Sequence, residues 1–468
     1  MKAKHTFIAL GMLLGFATSS TAMASLPSKQ QPLKPRIVVL TDVSTWETDD
    51  SESLVRLFSY ADLFEIEGIV FTTGWSLSSI RDDFFQLIHN PLNAYEKDLP
   101  NLMKRSAQQG FLKDEEKQRI GYWPSAEYLR SRVVYGSRNR GMKFIGEGND
   151  SDGSRLIIEQ ADKKDKRPLW VLLWGGGNTV AQAVWRVKQE RSEADLQKFL
   201  KKIRIYAITD QDRDQKTPYE DSSHLWLRKE FAGQLMFLWD ESAWLYQNGT
   251  GRSNWQEYEE NIQTHGNLGK EYPKYKYGVE GDTPSFLYVM PNGLHDTQKP
   301  TQGSWGGFFE WGQGPDKQTD SYTNHQGKAQ QTSRKYEAYF YPAIFNDFAA
   351  RMDWADKGEG NRNPVINIKG TRTLEIAEYK VKVGEEFCPD ATATYDPDGN
   401  QLNFKWWILP EAGTYQQTVN IEQSNQARPI LHIPTDAAGH TLHLICEVTD
   451  NGTPSLTSYR RLILHVGK

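Results

Sequence analysis

The chain of 468 residues lacks several features that would narrow its class, such as internal repeats and low-complexity tracts. Its net charge is only −5 and it has no basic stripe, so nothing in it indicates nucleic-acid binding. No nucleophile-elbow motif accompanies its serines and histidines, and WGGGN (174–178) lacks the spacing of a phosphate-binding loop. Beyond the N-terminus, no stretch is long and apolar enough to span a membrane. The length allows two or three domains.

Aromatic residues, by contrast, are abundant, with 15 Trp and 21 Tyr in the chain. Rings at this density often stack on sugar rings or bases, and they are also good core material. Composition therefore leaves two interpretations open, which are carbohydrate or nucleoside contact and simple burial.

The N-terminus has the pattern of a secretory signal peptide, predicted at residues 1–24. Lys2 and Lys4 provide the basic segment, FIALGMLLGF the short apolar segment, and Ala22 to Ala24 the small-residue cleavage site. No cysteine follows the apolar segment, which argues against a lipoprotein. We therefore expect an exported protein, located in the periplasm or outside the cell.

Residues 35–355 show the alternation of an α/β domain. The pattern consists of strands at 36–40, 66–72, 169–174 and 203–208 and of helices at 51–64 and 179–190. It predicts an open, mostly parallel sheet with helices on both faces. Ligands of such sheets bind beyond the carboxyl ends of the strands, where Asp42, Gly175 and Asp210 lie.

The remainder of the chain divides into three parts. Residues 248–311 read as long ordered loops with one helical piece at 283–290, and a last helix is predicted at 339–354. A polar, glycine-containing linker follows at 356–364. Short alternating segments between turn signals then predict an all-β, Ig-like sandwich over residues 365–468.

The two cysteines, Cys388 and Cys446, both lie in this last region. Export permits a disulfide between them, and their spacing suits a bridge across a sandwich. Strand parity argues against the bridge, because Cys446 alternates with Leu444 and Val448 on an apolar face while Cys388 points outward. Both alternatives stay open.

The segment LTDVSTWETDD (40–50) places Asp42, Asp49 and Asp50 directly after the first strand. Capping the next helix needs only one residue, for which Asp49 or Ser51 would suffice. Crowded carboxylates repel one another unless a cation offsets their charge. Oxygen ligands in a flexible loop favour Ca²⁺. A cation site and a solvated acidic loop both fit this pattern.

Three segments resemble the inosine-uridine nucleoside hydrolases: RIVVLTDVSTWETDD (36–50), LWVLLWGGGNTVAQAV (169–184) and EGDTPSFLYVMPNGL (280–294). From Arg36 onward, the chain more closely resembles secreted bacterial proteins that join a nucleoside-hydrolase-like domain to a C-terminal Ig-like domain. Some of these carry the label cellulose-binding protein. The closer resemblance is carried by IYAITDQD, EGDTPSF, GSWGGFFEW and VTDNGTPSLTSYRR.

The resemblance implies roles for four aspartates. Asp42 would be a calcium ligand and also the base that takes a proton from the attacking water held by the metal. Asp50 would be the bidentate ligand, and Asp49 would hold a sugar hydroxyl. Asp282 would complete the metal site from the late segment.

The resemblance also implies one more metal ligand, a main-chain carbonyl near Gly177 or Asn178. Calcium would gather the water and a diol of the sugar, and Asp42 would deprotonate the water. The water would then attack an oxocarbenium-like anomeric carbon of a nucleoside-like or glycan substrate. No oligomeric state follows from the sequence.

Two departures from the nucleoside hydrolases stand out. Six residues, Val43–Thr48, separate the lone aspartate from the pair, and Trp46 is among them. Gly281 stands before Asp282, where the hydrolases place a histidine, so no imidazole is available there to protonate a leaving base. The pair His295–Asp296 is a rival for the metal role of Asp282.

Several polar residues have both a functional and a purely structural interpretation. Asp210 and Asp212 follow a strand at the ligand end, which indicates either hydrogen bonding to substrate or an Asx-type turn. Asn178 either contacts a sugar hydroxyl or caps its helix. Residues 150–153 form either a turn or a loop near the substrate.

Aromatic residues and one acidic turn raise similar alternatives. Trp305 and Trp311 lie between glycines and either form a sugar-stacking wall or are buried in the core. The turn DPDGN (396–400) resembles turns of Ig-like modules that sometimes hold calcium, and an ordinary hairpin turn also fits.

Two functions of different classes follow. One is a calcium-dependent hydrolase of an N- or O-glycosidic bond, and the other is a carbohydrate-binding protein that keeps the cleft without turnover. Oxygens of Asp42, Asp50 and Asp282 converging on one point would favour the hydrolase, because a pure binding cleft needs no water-activating base. The missing histidine favours the binding protein.

Overall fold

The computed structural model describes residues 31–372 and 374–468, so the predicted signal peptide lies outside the described residues. The larger part of the structure is built on an eight-stranded sheet. Its strands are β1 (Arg36–Thr41), β2 (Glu65–Phe71), β3 (Val133–Tyr135), β4 (Leu169–Leu173), β5 (Ile203–Ile208), β6 (Met236–Asp240), β7 (Glu310–Gln313) and β8 (Asp320–Thr323).

The strand order is β3-β2-β1-β4-β5-β6-β8-β7, which places β1 near the middle of the sheet. β1 pairs in parallel with β2 on one side and with β4 on the other, and β7 closes one edge by running antiparallel to β8. The predicted open, mostly parallel sheet is confirmed. The carboxyl ends of β1 and β4 therefore lie side by side.

Helices cover both faces of this sheet. They are α1 (Asp49–Ser59), α2 (Gln86–Arg105), α3 (Ala126–Arg130), α4 (Asp152–Asp162), α5 (Asn178–Glu190), α6 (Glu193–Lys202), α7 (Ser223–Glu230), α8 (Ala243–Ser253), α9 (Trp255–Tyr258), α10 (Gly266–Glu271), α11 (Thr283–Val289) and α12 (Gly327–Lys357). None of these described helices is long and apolar enough to cross a membrane.

Burial of both faces explains why β1 reads as a continuous apolar run rather than an alternating one. Ile37 and Val39 point into the hydrophobic core on one side of the sheet, and Val38 and Leu40 point into the core on the other side. This two-residue period places Asp42, just beyond the strand, at the rim of the sheet.

Two expectations about helices are wrong. The region 248–311 holds more than loops, because α9 and α10 lie within it beside the predicted helical piece α11, and α8 begins just before it. The last helix begins at Gly327, well before the predicted start at 339. α9 and α10 have only 4 and 6 residues, and α8 buries only Ala243, Gln247 and Gly251, so none of the three has an apolar periodicity that stands out in the sequence.

The C-terminal part folds into two small sheets, as the predicted all-β region requires. Its strands are β9 (Ala377–Lys382), β10 (Glu386–Phe387), β11 (Leu402–Ile408), β12 (Ile421–Glu422), β13 (Ile430–His432), β14 (Thr441–Asp450) and β15 (Thr457–Gly467). One sheet has the order β11-β14-β15-β9 and the other β10-β13-β12. A separate hydrophobic core, with Trp406 and Leu431 among its members, fills this region.

The two cysteines do not pair. Cys388 is exposed and Cys446 is buried, and both are free thiols. Strand parity therefore gave the right alternative, because the Cys446 side chain is buried in the core while the Cys388 side chain is exposed to solvent.

Candidate metal centre

Asp42 lies just beyond β1, at the carboxyl end of the sheet, and is 1% exposed. The backbone N–H and the hydroxyl of Ser76 donate to its Oδ2 at 3.0 and 2.9 Å. Two glycines make room for the carboxylate, because a Cβ atom at Gly74 would lie 2.4 Å from Oδ2 and one at Gly175 would lie 2.9 Å from Oδ1. The chain thus encloses this acid on several sides.

Asp49 and Asp50 form the first turn of α1. The free N–H groups and dipole at a helix start stabilise negative charge there. The Thr41 hydroxyl, from the end of β1, donates to Asp50 Oδ1. Thr48 occupies the cap position and makes no side-chain cap bond, so neither aspartate serves as the simple helix cap.

Asp282 precedes α11 and reaches the site through contacts between α1 and the segment before α11. Arg56 forms a fully buried ion pair with Glu280, with an N–O distance of 2.6 Å. Glu52 accepts a hydrogen bond from the Glu280 backbone N–H at 2.7 Å. These contacts fix the late segment against α1, so that Asp282 meets residues more than two hundred positions earlier in the chain.

The structure brings three of the four predicted aspartates into one cluster, which contains Asp49 where the sequence predicts Asp42. One carboxylate oxygen each from Asp49, Asp50 and Asp282 lies within 4.8 Å of the others, and all three residues are buried. Asp42 is close enough that its charge contributes to raising the pKa of each of the three. Acids from three separate segments therefore converge at the mouth of β1. We call these four residues the acidic site.

Burial and like charge both raise the pKa values of the acidic site. Burial and, secondly, the Glu47 charge raise the pKa of Asp42 to about 7. Burial is also the largest cause of the raised pKa values of Asp49, Asp50 and Asp282, followed by the charges of neighbouring carboxylates. Ionising all four together is costly unless a cation is present.

The donor set fits a hard divalent cation. Within residues 31–372 and 374–468, no Lys, Arg or His lies within ion-pair distance of any residue of the acidic site. Asp282 Oδ2 and Asn248 Oδ1 are buried without a hydrogen-bond partner. Buried polar atoms are nearly always paired, so these two oxygens are free to bind a cation or an ordered water. Oxygen ligands of this kind suit Ca²⁺.

Sequence reasoning missed two members of this environment. Glu47 lies within the same acidic motif, so its charge was visible in the sequence. Asn248 belongs to α8, whose sequence gave no signal. Gly281 lets these groups approach, because a Cβ atom there would lie 2.5 Å from Asp49 Oδ2 and 2.9 Å from Asn248 Oδ1.

Asp210 and Asp212 belong to a second buried group, together with His224. The Ser222 hydroxyl donates to both Asp210 oxygens at 2.7 and 2.9 Å. Asp212 accepts from the backbone N–H groups of Gly177 and Ser223, each at 2.8 Å. With exposures of only 4% and 2%, the two acids act as internal hydrogen-bond acceptors, which does not support the predicted substrate contact.

The Asn178 side chain binds a neighbouring loop. Its Oδ1 accepts from the Gly141 N–H at 2.8 Å, and its Nδ2 donates to the Gly141 carbonyl at 3.0 Å. The residue is fully buried. This pairing occupies the amide, which argues against the predicted contact with a sugar hydroxyl, while the main-chain metal ligand near Gly177 or Asn178 stays a prediction.

The predicted sugar-stacking role of Trp305 is also contradicted by the structure. Trp305 is only 4% exposed and packs edge-on against Tyr459 of β15, with ring centroids 6.1 Å apart. A ring enclosed between the two parts of the molecule offers no face to a sugar. Trp311 is 50% exposed but lies on the edge strand β7, away from the acidic site.

The rival pair His295–Asp296 lies at the opposite end of the sheet. It lines a cavity of about 720 Å³ together with Lys34 and Pro168, which precede β1 and β4. Burial and the nearby Arg461 lower the pKa of His295 to about 3. Asp282 rather than Asp296 is therefore the acid that joins the acidic site.

Two acidic turns have structural roles. Asp150 pairs with Arg186 at 2.6 Å, and the adjacent Ser151 forms a capping box at the start of α4. Asp398 in the 396–400 turn pairs with Arg105 of α2 at 2.8 Å and so links the C-terminal part to the larger part.

Comparison with known families agrees with this architecture. Residues 36–309 match the family described as "Cellulose-binding Sde182, nucleoside hydrolase-like domain", which is more than half of the chain. The chain belongs to this family. Residues 386–466 match "Cellulose-binding protein Sde0182, C-terminal domain", so both parts of the Sde182 family protein are recognised.

One solved structure resembles the Sde182 family chain over almost its whole length. It is a nucleoside hydrolase-related hypothetical protein from Saccharophagus degradans, described as associated with carbohydrate metabolism. The identity is 34% and the TM-score 0.80, covering 92% of this chain and 100% of that one. The resemblance supports the fold of both parts.

Two more remote solved structures carry no information about function. The type III effector XopQ complexed with adenosine diphosphate ribose is 13% identical with a TM-score of 0.33, covering 70% of this chain and 95% of its own. A PKD domain from the KIAA 1837 protein is 13% identical with a TM-score of 0.16, covering 19% and 80%. No curated protein matches the chain.

Proposed function

We propose that this Sde182 family protein is an exported, calcium-dependent hydrolase that cleaves a glycosidic bond of a saccharide or nucleoside-like substrate. The observation that carries the proposal is the cluster of Asp49, Asp50 and Asp282, with the charge of Asp42 close by and no compensating cationic side chain among the described residues. A purely structural role would not need four buried acids with raised pKa values in one place.

The acidic site contains the groups that this reaction needs. A bound Ca²⁺ would neutralise the carboxylates and act as a Lewis acid toward water and sugar hydroxyls. Asp42, whose Oδ2 is fixed by Ser76, would take the proton of the attacking water. Asp49 orients a sugar hydroxyl, which holds the anomeric carbon for attack.

A second candidate is carbohydrate binding without turnover. The four aspartates are only 1–9% exposed, so a substrate reaches them only if the covering loops move. The family's cellulose-binding description also favours this candidate. The two candidates share the cation and differ in whether Asp42 acts as a base.

A release assay separates the two candidates. Nucleosides and aryl glycosides are incubated with wild type, with Asp42→Asn and with the matched control Asp296→Asn, each with and without chelator. Hydrolysis requires that the chelator and Asp42→Asn each abolish release while Asp296→Asn keeps it. Release that survives both treatments refutes the mechanism, and glycan binding with no release from any substrate supports the binding candidate.

A further inference from the structure

Three aromatic side chains around the acidic site are exposed, although most large aromatic rings of the described residues are buried. Trp46 is 40% exposed, Trp75 is 46% exposed and Tyr277 is 75% exposed. Exposed clusters of large rings are uncommon on soluble proteins and usually mark a contact surface. These three lie on three different loops, all of which cover the acidic site.

Hydrogen bonds join the loops of Trp46 and Trp75. The Trp46 indole N–H donates to the Ser76 carbonyl at 2.5 Å, and Ser76 is the neighbour of Trp75. The Trp75 backbone N–H donates to Gln211 Oε1 at 3.3 Å. Ser76 itself donates to Asp42, so both rings lie a short distance above the acidic site.

The third loop is fixed to the first in the same way. The Lys276 ammonium donates to the Thr45 carbonyl at 2.5 Å, and the Lys276 backbone N–H donates to the Thr48 hydroxyl at 2.8 Å. Tyr277 follows directly and has a φ of 72°, a left-handed conformation that costs a non-glycine residue of order 1 kcal/mol. Such conformations concentrate at functional surfaces.

Packing against Trp46 fixes its ring and still leaves the residue 40% exposed. Its ring meets Phe84 edge-on at 4.8 Å, and the Arg81 guanidinium lies 5.5 Å from its centre. A ring held on one side and exposed on another is preorganised for stacking, because little conformational freedom is lost on binding.

We propose that Trp46, Trp75 and Tyr277 form an aromatic platform that stacks on successive sugar rings of an extended glycan chain. The C–H faces of pyranose rings are apolar, so they pack on aromatic faces while their hydroxyl groups stay in water. Rings contributed by three loops suit a chain of sugars better than one small nucleoside. The inference rests on the saccharide class proposed above but requires no turnover.

Titration calorimetry with a soluble β-1,4-glucan hexamer tests the platform. Trp46→Ala and Trp75→Ala should each weaken binding about tenfold, and Tyr277→Ala should weaken it less because Tyr277 has the smaller ring. Trp311→Ala is the matched control, since Trp311 is 50% exposed on the edge strand β7, and it should bind like wild type. Thermal unfolding of each variant checks that it is folded.

Three results would overturn the platform: no binding of the hexamer by wild type, equal binding by folded Trp46→Ala and Trp75→Ala, or an equal loss in Trp311→Ala. Binding of the hexamer tests this inference and the release assay tests the hydrolase, so the two can fail separately. Wild type that binds the hexamer through Trp46 and Trp75 but releases no product would overturn the hydrolase alone.

Discussion

Two buried acidic groups lie at the same end of the sheet and resemble each other in composition. Asp49, Asp50 and Asp282 form one of them, and Asp210, Asp212 and His224 form the other. In each group the candidate ligand atoms lie within 4.8 Å of one another. The two groups differ in how their charges are offset.

The two aspartates of the second group have internal partners, although both ring nitrogens of His224 are buried without a hydrogen-bond partner. Backbone and hydroxyl donors serve both aspartates, and the Arg228 guanidinium lies 3.8 Å from Asp210. In the first group, the strongest influences on the Asp282 carboxyl after burial are other carboxylates, and one Asp282 oxygen is unpartnered. Burial of acids alone therefore does not indicate a metal site. Buried acids whose charge is offset by no cationic side chain and by few hydrogen-bond donors do indicate one.

Exchanging one aspartate for asparagine in each group should give opposite results. Asp282→Asn should abolish tight calcium binding, a loss of at least about 100-fold in affinity. In chelator the same variant should be more stable than wild type, because it removes a buried charge among like charges. Asp212→Asn should keep calcium and lose stability, because an amide cannot accept all the hydrogen bonds of the carboxylate. Metal analysis and denaturant unfolding measure both effects.

Asp282→Asn and Asp212→Asn are matched controls for each other, because both changes conserve the shape of the side chain and remove one charge. If Asp282→Asn retains one calcium per chain, the acidic site is not the metal centre. If both variants lose calcium equally, the difference in compensation between the two groups has no bearing on metal binding.

The next largest effect concerns the ion pair that brings Asp282 to the site. Arg56→Met leaves Glu280 buried without its cation, which should cost about 3–5 kcal/mol of unfolding free energy. Arg155→Met is the control, because the Arg155–Asp152 pair is exposed and contributes little. Urea unfolding compares the two. Equal small losses would show that Arg56 does not anchor the late segment.

Removal of the cation should make stability depend on pH. The folded state raises the pKa of Asp42 from 3.8 to about 7, so the folded protein binds a proton here more tightly than the unfolded chain does. The resulting contribution to folding stability is fully present below pH 3.8 and is lost as the pH rises toward 7. Metal-free protein should therefore lose about 2 kcal/mol between pH 5 and pH 7.5, relative to calcium-loaded protein. A stability difference that stays constant with pH would contradict the raised pKa.

Much of the larger part of the fold could be predicted because its signals are local. β-Branched apolar runs gave the central strands, and the motif at 40–50 gave three of the four acids of the site. The pairing of Asp282 with that motif came from the resemblance to nucleoside hydrolases, since sequence distance carries no information about contact. The ion pair of Arg56 with Glu280 shows the physical basis of that contact.

The wrong predictions of site residues have a common cause, because the exposure of a side chain depends on tertiary packing. Trp305 and Trp46 look alike as aromatic residues in loop-like sequence, yet the first is buried against Tyr459 and the second is exposed beside the acidic site. Asp210 follows its strand as Asp42 does, and its hydrogen-bond partner Ser222 lies 12 residues later, at the start of α7. No periodicity in the sequence records such partners.

The smallest expected effect tests compensation within the second group directly. The Ser223 hydroxyl donates to Asp212, beside the hydrogen bond from the Ser223 backbone N–H. Ser223→Ala should cost about 1 kcal/mol, the usual net value of one hydrogen bond, and should leave calcium content unchanged. Ser253→Ala, which removes an exposed hydroxyl bonded to the Gly249 carbonyl, should cost almost nothing. A loss of calcium in Ser223→Ala would instead show that the two acidic groups act as one site, since Gly177 joins Asp212 to the glycine turn beside Asp42.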